Sequence, residues 1–268
     1  MPKRIQSPSS INAYKQCPRK YYYSYIKGLK TLPSIHMTRG KIVHSVLDRF
    51  FHNKPNEISW ETAEERMKLR IQNLLVNEWK KSKKELSLFR LSQSQEMLYF
   101  EESLVFLFSW LSYFNKRLKP LREQMTFEQA FAKLTPSLRE AVHLSDALAV
   151  RGIIDAVEEI ENETKIVDYK TSSNCDINEH KLQLAIYALL YNEVHGKMPT
   201  KAGIHFLREQ EPKFINVDCE LIEFAKEEVR LIHEKTASAD IKDYPKTETA
   251  LCKWSEGKCD FYDYCQRE

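Results

Sequence analysis

With 268 residues, 42% of them hydrophobic, the chain can bury one large core or two small ones, and only six glycines and ten prolines exclude a fibrous or disordered protein. A formal net charge of +3 is nearly balanced, so it excludes neither a local basic groove nor acidic patches. No signal-peptide pattern opens the sequence, and the longest apolar runs, such as LVFLF at 104–108, are far too short to cross a bilayer. A soluble, cytoplasmic protein without a membrane partner is therefore expected. In such a compartment the six cysteines point away from structural disulfides, and some are candidate metal ligands.

In chain order, residues 7–26 open on Ser and Pro, which suit a helix start, and Cys17-Pro18 marks a break before a second helix. Tyr21, Tyr22, Tyr23 and Tyr25 then lie beside Arg19 and Lys20. A packed aromatic helix is the plainer reading, and a base-stacking surface is the alternative. Residues 40–52 form an amphipathic helix with Ile42, Val43, Val46, Leu47 and Phe50 on its apolar stripe, and His44 and Asp48 one turn apart. Two long helices follow at 59–83 and 92–120, with Ser59 or Thr62 starting the first and Pro120 closing the second. Their lysines and arginines fit a solvated face or a nucleic-acid track.

From 126 to 170 the pattern changes to strands, beginning with TFEQAFAKL. The stretch from Arg151 to Lys170 reads as two antiparallel strands joined by a polar turn at Glu161–Thr164, which sets Asp155 roughly opposite Asp168. Residues two apart share a strand face, so Asp168 and Lys170 project together. Two acids and a lysine converging on one patch are costly unless a cation or a reacting phosphate occupies it. Beyond them come a helix at 178–195 with Asn178 as N-cap and Gly196 as its stop, a strand at 201–208 and a helix at 219–236. Gln183 and Tyr187 are four apart on the first of these helices and share a face. The order of elements predicts an α/β core with helices packed on a mixed sheet.

The tail carries Cys252, Cys259 and Cys265 within fourteen residues, a cluster that points to metal or iron–sulfur ligation. Cys17, at its Pro-marked turn, is the best fourth thiolate, ahead of Cys175 and Cys219. All-cysteine donors at wide spacing favour an iron–sulfur cluster over zinc. At the other site, a divalent cation held by carboxylates would activate water for phosphodiester hydrolysis. Lys170 would assist, and the backbone carbonyl of Tyr169 is a further candidate ligand.

The ordered set of His44, Gly152-Ile-Ile-Asp155, Asp168-Tyr-Lys170 and Gln183-x-x-x-Tyr187, enclosed by Cys17 and the three tail cysteines, resembles the RecB-like branch of the PD-(D/E)XK nuclease superfamily. It is most similar to that branch's iron–sulfur members, the CRISPR-associated RecB-like exonucleases and the AddB nuclease domain. The resemblance implies a restriction-endonuclease-like core spanning 1–268 as one domain. A helical insertion would occupy about 56–122, and 7–30 with 245–268 would form a cysteine-cluster lobe. It further implies magnesium or manganese on His44, Asp155 and Asp168, catalysis by Lys170, DNA contact or support by Gln183 and Tyr187, and a structural 4Fe–4S centre on Cys17, Cys252, Cys259 and Cys265. The implied activity is exonucleolytic, on single-stranded DNA or DNA ends, in CRISPR adaptation or DNA repair. An integrase or helicase assembly is the implied partner. A non-catalytic nucleic-acid-binding or assembly module that keeps the fold and cluster is the alternative, and a redox or zinc protein is a third reading. No Gly-x-x-x-x-Gly-Lys-Ser/Thr phosphate loop is present, so ATP hydrolysis by this chain is not expected.

Overall fold

The computed structural model describes residues 3–52, 58–255 and 257–267. Helix α1 (Pro8–Gln16) starts on a reciprocal capping box between Ser7 and Ser10, with Pro8 in the first turn where its missing N–H costs nothing. It ends at Cys17, and α2 (Pro18–Tyr21) restarts the chain and widens into a π-type turn through Tyr22–Ile26. Helix α3 (Ile35–Phe50) is capped by Ser34, and its predicted stripe of Ile42, Val43, Val46, Leu47 and Phe50 is buried throughout.

Helices α4 (Trp60–Lys81), α5 (Lys83–Leu86) and α6 (Gln93–Leu118) occupy the stretch expected to be helical. Ser59 takes the N-cap position of α4, and Ser92 closes a capping box with Gln95 on α6. The expected insertion begins near 56, and residues 53–57 lie outside the described residues, as do 256 and 268 of the cysteine lobe. No described helix is long and apolar enough to cross a membrane.

The segment TFEQAFAKL corrects the strand reading. It is helix α7 (Phe127–Leu134), capped by a Thr126–Gln129 box, with Phe127, Ala130, Phe131 and Leu134 buried at helical spacing.

The sheet follows as β1 (Leu138–Ser145), β2 (Val150–Ile160) and β3 (Glu163–Lys170). A polar 3₁₀ turn capped by Asp176, rather than by Asn178, leads into α8 (Lys181–His195), which stops at Gly196 with φ +63°. Then come β4 (Lys201–Phe206), β5 (Lys213–Asn216) and α9 (Cys219–Lys235). Strand order is β1-β2-β3-β4-β5, antiparallel except for the parallel β3–β4 pair whose crossover runs through α8. The tail holds a two-stranded pair, β6 (Lys253–Trp254) with β7 (Gly257–Lys258), and α10 (Tyr262–Arg267).

Each sheet face carries its own core. Ala156, Val167 and Tyr169 pack with α3, α4, α6 and α7, while Val150, Ile154, Val157 and Ile166 pack with α8 and α9. This is the mixed α/β architecture that the sequence predicts.

Candidate active site

The β2–β3 hairpin turns tightly, with Ile160 opposite Glu163 and Glu161 at φ +57°. Pairing runs to Ala156 opposite Val167, and that register continued by one residue sets Asp155 against Asp168. There the regular pattern breaks. Ile154 and Ala156 are two apart, yet they pack into opposite cores. On the neighbouring strand Glu140 falls opposite Asp155 but has φ +43°, a left-handed conformation that non-glycine residues seldom adopt. The kink sends the Asp155 side chain into the gap between β2 and β3. Its Oδ2 accepts a hydrogen bond from the Tyr169 backbone N–H at 2.7 Å.

Helix α3 brings His44 to the same gap. His44 Nε2 lies 2.9 Å from the Tyr169 carbonyl, while Nδ1 faces Glu140 Oε1 and Asp155 Oδ2, each at 3.4 Å. With Nε2–H donating to the carbonyl, Nδ1 is the ring nitrogen left to face the two acids, where it carries a proton in the metal-free protein and could offer its lone pair to a cation once that proton leaves. Ligand atoms of His44, Glu140 and Asp155 all lie within 4.8 Å of one another. Burial opposes charge on His44, but Asp155, Glu140 and Asp168 together outweigh it and raise its pKa to about 10. A proton is thus held strongly at the point where the acids would otherwise face a cation.

Asp168 lies outside that three-residue group. Gln183 Nε2 donates to its Oδ1 at 2.8 Å and also to the Tyr187 hydroxyl at 2.9 Å, so the two residues share a face of α8, as their spacing implied, and that face adjoins this acid. Lys170 Nζ is 2.8 Å from Asp168 Oδ2 as an ion pair, yet not aligned as a hydrogen-bond donor, which leaves that buried oxygen without an aligned donor. Burial, then the neighbouring Asp155, raise the Asp168 pKa to about 6 against the pull of Lys170 and His44. Oxygen and imidazole donors with one under-satisfied buried carboxylate fit a divalent cation of the magnesium or manganese type. Sequence reasoning missed Glu140. Its signal was available only through the β1–β2 register, which sets it against Asp155.

At the far end of the chain, Cys17, Cys252, Cys259 and Cys265 line one cavity of about 520 Å³. Cys175 and Cys219 do not line it. Burial raises the Cys265 thiol pKa, and Cys17 and Cys252 are near enough to add to the effect. Four sulfur donors around one space fit an iron–sulfur cluster, which would hold them deprotonated. Of the four neighbouring tyrosines, Tyr21 and Tyr23 are fully buried, and half-buried Tyr25 and Tyr22 pack against them in turn.

Residues 6–266 match the sequence profile of the PD-(D/E)XK nuclease superfamily. A CRISPR-associated exonuclease Cas4 from Francisella tularensis subsp. novicida (strain U112) is 27% identical over 158 residues, which is 57% of this chain and 74% of that protein. Among solved structures, a candidate exonuclease from Eubacterium rectale aligns with a TM-score of 0.52 at 12% identity, covering 93% of this chain and 86% of that one. At that identity the likeness is one of fold.

Proposed function

The chain belongs to the PD-(D/E)XK nuclease superfamily, and from that premise we propose that it is a metal-dependent deoxyribonuclease acting exonucleolytically on single-stranded DNA or DNA ends. The observation that carries this reading is the convergence of His44, Glu140 and Asp155 within 4.8 Å, beside the Asp168–Lys170 pair. The cation would be held by His44, Asp155 and Asp168, with Glu140 and the second lone pair of the Tyr169 carbonyl beside them. Bound there, magnesium or manganese supplies neutralisation of phosphoryl charge and a more acidic water.

The protein's own groups do the rest. Asp155 is fixed by the Tyr169 amide, and His44 by the Tyr169 carbonyl, so both donors are oriented before substrate arrives. Lys170 is held beside Asp168, where its ammonium orients the attacking water or meets charge developing on the phosphate. Gln183 and Tyr187 brace Asp168 from α8.

The four-cysteine cavity is proposed to hold a 4Fe–4S cluster with a structural role, joining the N-terminal segment to the tail of one nuclease domain. Likeness to a CRISPR-associated exonuclease supports a CRISPR setting, and DNA repair is the other setting of the same chemistry; an integrase or helicase assembly is the partner that the family resemblance implies.

The test uses end-labelled single-stranded DNA with manganese or magnesium. Asp155→Ala and Lys170→Ala should each lower the cleavage rate by at least about a hundredfold. Wild-type rates in both would sink the proposed site, and strand-specific labels report polarity in the same assay.

A further inference from the structure

A second concavity of about 480 Å³ lies between the start of α1 and the β1–β2 strands. Lys170, Gln183 and Tyr187 line it, so it opens from the same lysine that pairs with Asp168. The rest of its lining is mixed. Val142 and Ile153 lie opposite each other across β1–β2 and are 70% and 50% exposed, although Val150 and Ile154 on the same strand are fully buried. Asn12 and Arg151 are exposed in the same lining, and among the described residues neither side chain has a hydrogen-bond or ion-pair partner.

Those parts match one nucleotide. Aliphatic side chains left in water offer a surface to the face of a base. A free amide, with both donor and acceptor, matches a base edge, and an unpaired guanidinium matches a phosphate. The volume is that of a small-molecule pocket. A paired base has its edge occupied and its faces stacked, so only an unpaired nucleotide can enter.

We propose that this groove is a subsite for an unpaired nucleotide adjoining the scissile phosphate, with Val142 and Ile153 against the base, Asn12 at its edge and Arg151 at the flanking phosphate. The proposal rests on the nuclease reading and adds a physical basis for choosing single strands or frayed ends over intact duplex.

Three measurements separate the two ideas. Hydrolysis of bis(p-nitrophenyl) phosphate by the wild-type protein with manganese, lost in Asp155→Ala, reads the chemistry without any base. Its absence together with absence of cleavage of end-labelled single-stranded DNA overturns the nuclease reading and the subsite with it. Next, wild-type kcat/KM is compared on a single-stranded oligonucleotide and on the same oligonucleotide with abasic residues at its terminal positions. The base-bearing strand should be cut about tenfold faster. This comparison needs no variant, and equal rates beside intact bis(p-nitrophenyl) phosphate hydrolysis overturn the subsite alone. Last, Val142→Ser combined with Ile153→Ser alters two exposed side chains and should remove the preference, mainly through a higher KM. An undiminished preference in a folded double variant also overturns the subsite.

Discussion

At the residue scale, His44 is the point where proton and cation compete. Its Nε2 is committed to the Tyr169 carbonyl, so the acids Glu140 and Asp155 act on Nδ1 alone. With the pKa raised to about 10, most molecules at neutral pH carry the extra proton, and a cation must displace it. Manganese affinity should therefore rise roughly tenfold per pH unit between pH 7 and 9. Toward acid pH the slope should steepen, because burial and Asp155 raise the Asp168 pKa and a second proton then has to leave. The sign for stability is opposite. A raised histidine pKa stabilises the metal-free protein fully below the unfolded value of 6.5, and that contribution is lost as pH rises through about 10. Glu140→Gln removes one of the acids that hold this proton and one of the oxygens that face the cation. It should flatten the pH slope and weaken manganese binding about tenfold, as read by isothermal titration at three pH values. Unchanged affinity and slope would remove Glu140 from the site.

At the scale of elements, the hairpin and α8 act as one unit. A Cβ on Gly152 would sit 3.0 Å from Leu190 Cδ1 and 3.0 Å from Tyr187 Cε1, so a side chain at residue 152 would require those two side chains of α8 to give way. Gly152→Ala should push Tyr187, and with it the Gln183 amide that braces Asp168. We expect a loss of about 1–3 kcal/mol in stability, seen as a Tm lower by roughly 3–8 °C, together with slower cleavage. A Tm fall with full activity would show that the contact serves packing alone.

The β2–β3 hairpin, α3 and α8 were legible in the sequence because each carries a strong period together with a stop or cap signal. The strand expected at TFEQAFAKL is instead helix α7, because Phe127, Ala130, Phe131 and Leu134 repeat at three and four, the helical spacing. Strand β5 has four residues, none fully buried, and gives no period to detect. Glu140 escaped for another reason. Its position depends on a strand register and a left-handed backbone, neither of which is written in the residue itself.

At the scale of the whole molecule, the two ends of the chain are joined in two layers that differ in chemistry. The first is made of ordinary packing. Tyr21 and Tyr244 stack at 6.1 Å, Arg19 Nε donates to the Tyr244 carbonyl at 2.7 Å, and buried Gln6 donates to Tyr21 and Thr236. It holds the chain as far as Pro245, whose carbonyl accepts from the Arg19 N–H. The second layer begins beyond that residue. There Phe261 and Tyr264 pack on Tyr23, Lys246 reaches the Cys265 carbonyl, and the four thiols surround their cavity. Among the described residues beyond Pro245, Phe261 is the one buried side chain, and a buried phenylalanine contributes only about 2 kcal/mol, so in the proposed cluster-bound form the group that cross-links the thiols would carry most of the tail's hold. Oxidative stripping of iron with ferricyanide and a chelator should therefore free residues after Pro245 while α1, α2 and the sheet stay folded. Limited trypsin digestion would then cut first at Lys246, Lys253 or Lys258, and hydrogen exchange would rise across 246–267 before it rises in α8 or β3. Cys17→Ser should reproduce this pattern, since it removes the one thiol contributed by the N-terminal segment. Simultaneous loss of protection in α8 and β3 would mean that the cluster supports the nuclease core itself, and an unchanged tail would mean that packing alone holds it.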